Sequence, residues 1–123
     1  MKGKTYYLAG PMSGRPNDNI PAFEDAAGYL RHLGYHIFSP VEMEQMTGQS
    51  KPSSELSNNE LRRIARQDML MIAEWCDGII LLPGWEVSKG AKAEYALARW
   101  LGMECYELRS HSLYEIEPKA LVI

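Results

Sequence analysis

The sequence predicts an α/β fold: a three-layer parallel sheet of four to five strands with helices on both faces. Three observations carry that expectation. Short apolar runs alternate along the chain with longer segments of helical period. The run Gly78-Ile79-Ile80-Leu81-Leu82 is apolar on both faces, as a central parallel strand covered on each side must be. Gly34 and Gly102 each follow a helical segment and precede a strand, where a helix stop is needed.

Thr5-Tyr6-Tyr7-Leu8-Ala9-Gly10 opens the chain as a buried strand, and residues 11–18 form a loop rich in Gly, Pro, Asn and Asp. A helix follows over about 21–33, with Phe23, Ala26, Ala27 and Leu30 on its inner face. Tyr35-His36-Ile37-Phe38-Ser39 is the second strand, closed by Pro40. Residues 41–56 show no clean period, so they read as a long loop of the kind that serves as a lid or binding segment. Ser57-Asn58-Asn59-Glu60 fits a capping box and starts a helix that runs to about Trp75. After the third strand, Pro83-Gly84-Trp85-Glu86-Val87-Ser88 forms a turn into a helix ending at Leu101. Met103-Glu104-Cys105-Tyr106-Glu107-Leu108 is the fourth strand, and the tail 109–123 is either an edge strand or a contact with a partner subunit.

A chain of 123 residues with 46% hydrophobic and 24% charged residues suits one domain with one ordinary core. Net charge −3 argues against binding a nucleic-acid polymer, but not against a small anion held by local donors. Cys76 and Cys105 read as reduced thiols of a cytoplasmic protein. No apolar run approaches membrane-spanning length and no signal-peptide core is legible. His32, His36 and His111 lack metal-ligand spacing, so neither a metal nor a cofactor is expected.

Alternating strands and helices imply right-handed crossovers and a doubly wound, flavodoxin-like (Rossmann-like) order. In that order the loops 10–19 and 83–89 flank the switch point, where open α/β sheets bind ligands. Glu94 lies beside that point on the stripe of Leu97, Ala98 and Leu101, although an unpaired buried carboxylate is costly. Asp68 repeats the anomaly among Leu61, Ile64, Met71, Ile72 and Trp75. Either Arg62, Arg66 or a neighbouring cap satisfies it, or the two acids face one pocket and divide nucleophile and acid roles. A carboxylate nucleophile at a sugar carbon gives a covalent glycosyl-enzyme that a second acceptor resolves. The helix N-terminus near Lys89 favours an ionised Glu94 and burial opposes it. Ser13 and Arg15, with the backbone at Gly10, offer donors suited to a phosphate or sugar hydroxyl, and Ser88 is an N-cap that could also meet a ligand. Tyr7 and Trp85 could stack on a base, although core packing is the default for a strand aromatic. Glu42 and Glu44 read as solvated acids, with Glu42 a minor site candidate.

A set of motifs carries a family resemblance. They are Tyr7-Leu8-Ala9-Gly10-Pro11-Met12-Ser13-Gly14 with Asn19, Pro21, Ala22 and Phe23; Gly34-Tyr35 and Ser39-Pro40; Arg66-Gln67-Asp68; Cys76-Asp77-Gly78; and Leu82-Pro83-Gly84-Trp85 through Gly90-Ala91 and Glu94. Over about residues 4–108 the chain resembles a small uncharacterised, DUF4406-like branch of the nucleoside 2-deoxyribosyltransferase-like superfamily. The resemblance implies a flavodoxin-like fold and cleavage of N-glycosidic bonds in nucleosides or nucleotides. It gives Glu94 the attack on the anomeric carbon and Asp68 the positioning of the sugar or protonation of the base. Tyr7, Gly10 and Ser13 fall in the region near the end of strand one that lines its site, and Trp85 and Gly90 of the quoted motif join them as substrate-binding candidates. Base-exchanging members carry an aspartate six residues before the nucleophile, where this chain has Ser88. That departure points to the hydrolase branch acting on 5′-monophosphates, with Ser13, Arg15 and Ser88 as phosphate ligands. The family implies a homodimer or higher homo-oligomer. The competing readings are a catalytically silent nucleotide-sensing module and a structural subunit whose two acids are satisfied by internal arginines.

Overall fold

A computed structural model describes residues 3–46, 48 and 52–116. Five strands form one sheet in the order β2-β1-β3-β4-β5. They are β1 (Thr5–Ala9), β2 (His36–Phe38), β3 (Gly78–Leu81), β4 (Glu104–Arg109) and β5 (Ser112–Glu115). The first four are parallel, with Tyr7 opposite both Phe38 and Ile79, as the alternation of elements requires. The fifth, edge strand is the exception: β5 runs antiparallel to β4. A two-residue turn at Ser110 and His111, both in the left-handed region, leaves no room for a crossover, so the strand must return as a hairpin. The edge-strand alternative for the tail therefore holds to Glu115, while residues 117–123 lie outside the described residues.

Helices α1 (Ile20–His32), α2 (Pro40–Met46), α3 (Asn58–Trp75) and α4 (Lys89–Trp100) cover the sheet. Successive residues of a strand point to opposite faces. Tyr6, Leu8, Ile80 and Leu82 accordingly pack with Phe23, Ala27 and Leu30 of α1, while Tyr7, Ala9, Ile79 and Leu81 pack with Ile72 of α3 and Ala91 and Ala98 of α4. Ser57 caps α3 in the expected box: its hydroxyl accepts from Glu60 N at 3.1 Å and Glu60 Oε1 accepts from Ser57 N at 3.2 Å.

Three expectations need correction. The segment 41–56 is not all loop, because Pro40 opens a helix rather than merely closing β2. A proline fits the first turn, where its missing N–H is not needed, and Val41 and Met43 bury the inner face of α2. Of that segment, residues 47 and 49–51 lie outside the described residues. The apolar stripe of α4 is Ala91, Glu94 and Ala98 rather than one running to Leu101, which is 44% exposed past the helix end. The α3 stripe is likewise buried only at its centre, at Asp68 and Ile72, with Leu61 and Trp75 exposed.

Candidate active site

Because β1 lies between β2 and β3, the segments that follow β2 and β3 form opposite walls over its carboxyl end. Between them is a cleft of about 500 Å³. Tyr7 forms its floor, with its ring fully buried and its hydroxyl aimed at the cleft. That burial excludes the stacking role considered for it.

The Tyr7 hydroxyl donates to Glu94 Oε2 at 2.7 Å, and Asp68 is near enough for it and the same hydroxyl to influence each other's proton affinity. Both acids line the cleft and each is only 9% exposed. Asp68, Tyr7 and Glu94 thus gather at one end of the sheet. Arg62 and Arg66 do not satisfy Asp68, since both lie on the exposed side of α3. Burial is the largest influence on every member. It raises Glu94 to about 8, against the Tyr7 hydrogen bond, with the Asp68 charge adding to the rise. It raises Asp68 to about 6, again against Tyr7. It drives the Tyr7 phenol well above its ordinary value, and the two carboxylates push the same way. At Glu94 burial outweighs the Tyr7 hydrogen bond, the direction that favours the protonated carboxyl.

Ser88 caps α4, its hydroxyl accepting from Ala91 N at 3.2 Å, and it lines the cleft as well. Gly10, Ser13, Arg15 and Gly90 line it too. Asn19 Nδ2 donates to the Pro11 carbonyl at 3.0 Å and anchors the loop that carries Ser13 and Arg15. The Arg15 guanidinium lies against Gly84, whose φ is +88° and where a Cβ would collide with it. This puts the positive charge on the β3 side, the same wall as the start of α4.

Two expected site residues are elsewhere. Trp85 does not line the cleft. The left-handed turn at Gly84 sends its indole toward β4, where Nε1 donates to Glu107 Oε1 at 2.9 Å and the ring packs on Tyr95 with centroids 4.9 Å apart. Glu42 is held outside by Arg31, whose two terminal nitrogens each donate to a carboxylate oxygen at 2.6 Å. The acid that does face the cleft is Glu44, two residues further along α2 and so on the other side of the helix. Burial, with the Asp68 and Asp18 charges, raises it to about 7. The signal for Glu44 was the helix itself, which Pro40 concealed.

A family model described as a domain of unknown function (DUF4406) matches residues 4–106, a span that contains every cleft residue named above. The chain belongs to the DUF4406 family. Comparison with curated proteins finds no match. Among the described residues no group of three or more His, Cys, Asp and Glu could hold a metal ion, and no helix is long and apolar enough to cross a membrane. What this DUF4406 domain brings together around the cleft is a tyrosine bonded to a buried glutamate, two further acids, Asp68 and Glu44, and the Arg15 guanidinium.

Proposed function

We propose that the protein cleaves the N-glycosidic bond of a (deoxy)nucleoside or its 5′-monophosphate through Glu94, as a hydrolase or a 2-deoxyribosyltransferase. The carrying observation is the 2.7 Å bond from Tyr7 to a glutamate buried at the mouth of the sheet. A buried carboxylate whose main partner is a neutral hydroxyl keeps its nucleophilic oxygen uncommitted to a cation. The motif resemblance assigns the same residue the same task.

In this reading the ionised Glu94 carboxylate bonds to C1′ as the C1′–N bond breaks, and the base leaves with the bonding pair. Positive charge developing at C1′ favours the ionised glutamate that burial disfavours in the empty site. Tyr7 donates to the carboxylate throughout, with Asp68 close beside it. Water, or a second base, then takes C1′ from Glu94. Arg15, Ser13, Ser88 and the start of α4 suit a 5′-phosphate on the β3 wall.

The raised Glu94 favours a second reading, a nucleotide-sensing module that binds without turnover, because a protonated glutamate is no nucleophile. Chromatography of free base from a panel of deoxynucleosides and their 5′-monophosphates separates the two, with Glu94→Ala as control and each substrate run with and without an acceptor base. Release that vanishes in the variant is expected. Tight binding with no base released by the folded wild type would leave the sensing module.

A further inference from the structure

Ser13 and Arg15, the donors suited to a phosphate, ride on a loop whose backbone is strained. Asn17, Asp18 and Asn19 take φ values of +52°, +51° and +60° in succession. That left-handed region is unfavourable for any L residue, and asparagine and aspartate tolerate it best. Such a run persists only where the surrounding structure fixes it. Bonds inside the loop pass the constraint along. Arg15 N donates to the Met12 carbonyl and Asp18 N to the Arg15 carbonyl, each at 3.1 Å. Asn19 ties back to Pro11.

A further bond leaves the loop. Asp18 Oδ2 accepts from Ser53 N at 2.9 Å, across 35 residues of sequence. Ser53 begins the short 3₁₀ turn Ser53–Glu55 between α2 and α3, and it lines the cleft. The first N–H groups of a helical turn have no partner within it. Pro52, at the N-cap, makes no side-chain bond to them, so the cap comes from Asp18. One carboxylate thus satisfies the 3₁₀ turn and anchors the strained loop. Arg15 and Asp18 also line an adjoining cavity of about 380 Å³ with Pro52 and Ser54, where the two segments meet.

We propose that Asp18 is a positioning residue of this site. By holding Ser53 N it sets the left-handed turn and, through the Arg15 carbonyl, the place at which Ser13 and Arg15 meet a 5′-phosphate. The inference rests on the phosphate reading of those two donors. Asp18 does not itself line the cleft, so its loss should appear in the binding of a phosphorylated substrate and not in the bond-breaking step.

The test is steady-state kinetics on a deoxynucleoside 5′-monophosphate that the wild type cleaves. Asp18→Ala removes the acceptor of the bond. Ser53→Pro removes the donor, and Pro52, extended at φ −57° and ψ 148°, accepts a proline after it. Each variant should raise KM about tenfold with kcat within about twofold of wild type. The double variant should be no worse than either single one, because both remove the same bond. Asp18→Asn keeps an oxygen for the Ser53 N–H and suits left-handed backbone, so it should restore the wild-type KM. The parent nucleoside, used as a competitor, should keep its Ki in every variant. Additive losses, a fall in kcat with KM unchanged, an equal rise in the nucleoside Ki, or no rescue by asparagine would overturn the assignment while wild-type turnover left the glycosidase reading intact. A folded wild type that releases base from no monophosphate would end the phosphate reading and the inference together.

Discussion

Among the described residues glutamate and tyrosine side chains bond in two places, and adjacent residues of β1 supply one tyrosine to each. On the α1 face, Tyr6 donates to Glu104 at 3.2 Å, Tyr106 donates to the same carboxylate at 2.7 Å, and Lys4 closes an ion pair at 2.5 Å. On the opposite face, Tyr7 donates to Glu94 at 2.7 Å, and among the described residues no lysine or arginine pairs with it. The two carboxyls respond in opposite directions. Hydrogen bonds from Lys4, first, and Tyr106 hold Glu104 below the ordinary carboxylate range, while burial carries Glu94 to about 8. A tyrosine hydroxyl on a glutamate is therefore not in itself the mark of a site. Burial combined with the missing cation is, because a carboxyl shifted that far at a cost in stability marks a candidate functional position.

Removing each carboxyl should break the comparison most visibly. Glu94→Gln should abolish base release, by about 1,000-fold or more, and yet stabilise the fold. The sign follows from proton counting. The folded Glu94 keeps its proton where the unfolded one, near 4.5, has lost it. Its contribution to stability therefore falls as pH rises from about 4.5 and levels off above about 8. At pH 7 the penalty reaches up to about 3 kcal/mol. Thermal melts at pH 5 and pH 8 should show the wild type losing several degrees at the higher pH relative to the variant. Glu104→Gln should do the reverse, leaving base release unchanged and lowering stability by about 1 kcal/mol, the exposure of the pair being allowed for. The Glu104 contribution is present above the unfolded value of about 4.5 and is lost as pH falls through its depressed folded value. A Glu94→Gln protein less stable than wild type at pH 8 would mean that this carboxyl is not the penalised one.

The two tyrosines give a smaller contrast of the same kind. Tyr7→Phe removes the hydrogen bond that opposes burial at Glu94, so the carboxyl should hold its proton more tightly still. We expect kcat at pH 7 to fall about 10- to 100-fold, with partial recovery at higher pH as the glutamate ionises. Tyr6→Phe leaves Glu104 with Lys4 and Tyr106, and should leave kcat unchanged and lower stability by about 1 kcal/mol. Rate–pH profiles of both variants check this; a Tyr7→Phe profile that merely scales the wild-type curve would detach Tyr7 from Glu94.

Much of this arrangement was legible in the sequence, for identifiable reasons. The double-sided apolar run at 78–82 required a central strand, and the capping box at Ser57 located the start of α3 to the residue. Asp68 and Glu94 stood out because an acid interrupting an apolar stripe conflicts with its own helix, and functional sites are where such conflicts occur. Proline blurred the other cleft acid. Pro40 carries a strand-stop signal and a helix-start signal in the same residue, and the seven-residue α2 is too short to show a period. Without a helix to set their directions, sequence reads both Glu42 and Glu44 as solvated acids and cannot tell which of them faces the cleft. Trp85 misled for a different reason: its place in the turn was right, but the direction of its side chain depends on the left-handed Gly84, and sequence does not give that φ.

Gly84 also supports the finest test of the contrast between the two regions, because Gly102 provides its counterpart. Both have positive φ, +88° and +71°, so alanine at either strains the backbone by about 1–2 kcal/mol. Their surroundings differ. At Gly84 the new Cβ meets the Arg15 guanidinium, whereas at Gly102, in the turn leading to β4 and Glu104, nothing lies within 4 Å. Equal strain should therefore produce similar falls in melting temperature but unequal effects on the site. Gly84→Ala displaces the arginine from the phosphate wall and should raise KM for a 5′-monophosphate about tenfold, with little change for the corresponding nucleoside, which makes no such contact. Gly102→Ala should leave both KM values where they were. If Gly84→Ala raised KM equally for nucleoside and monophosphate, Arg15 would be shaping the cleft as a whole, and the phosphate would have to be held by Ser13, Ser88 and the start of α4.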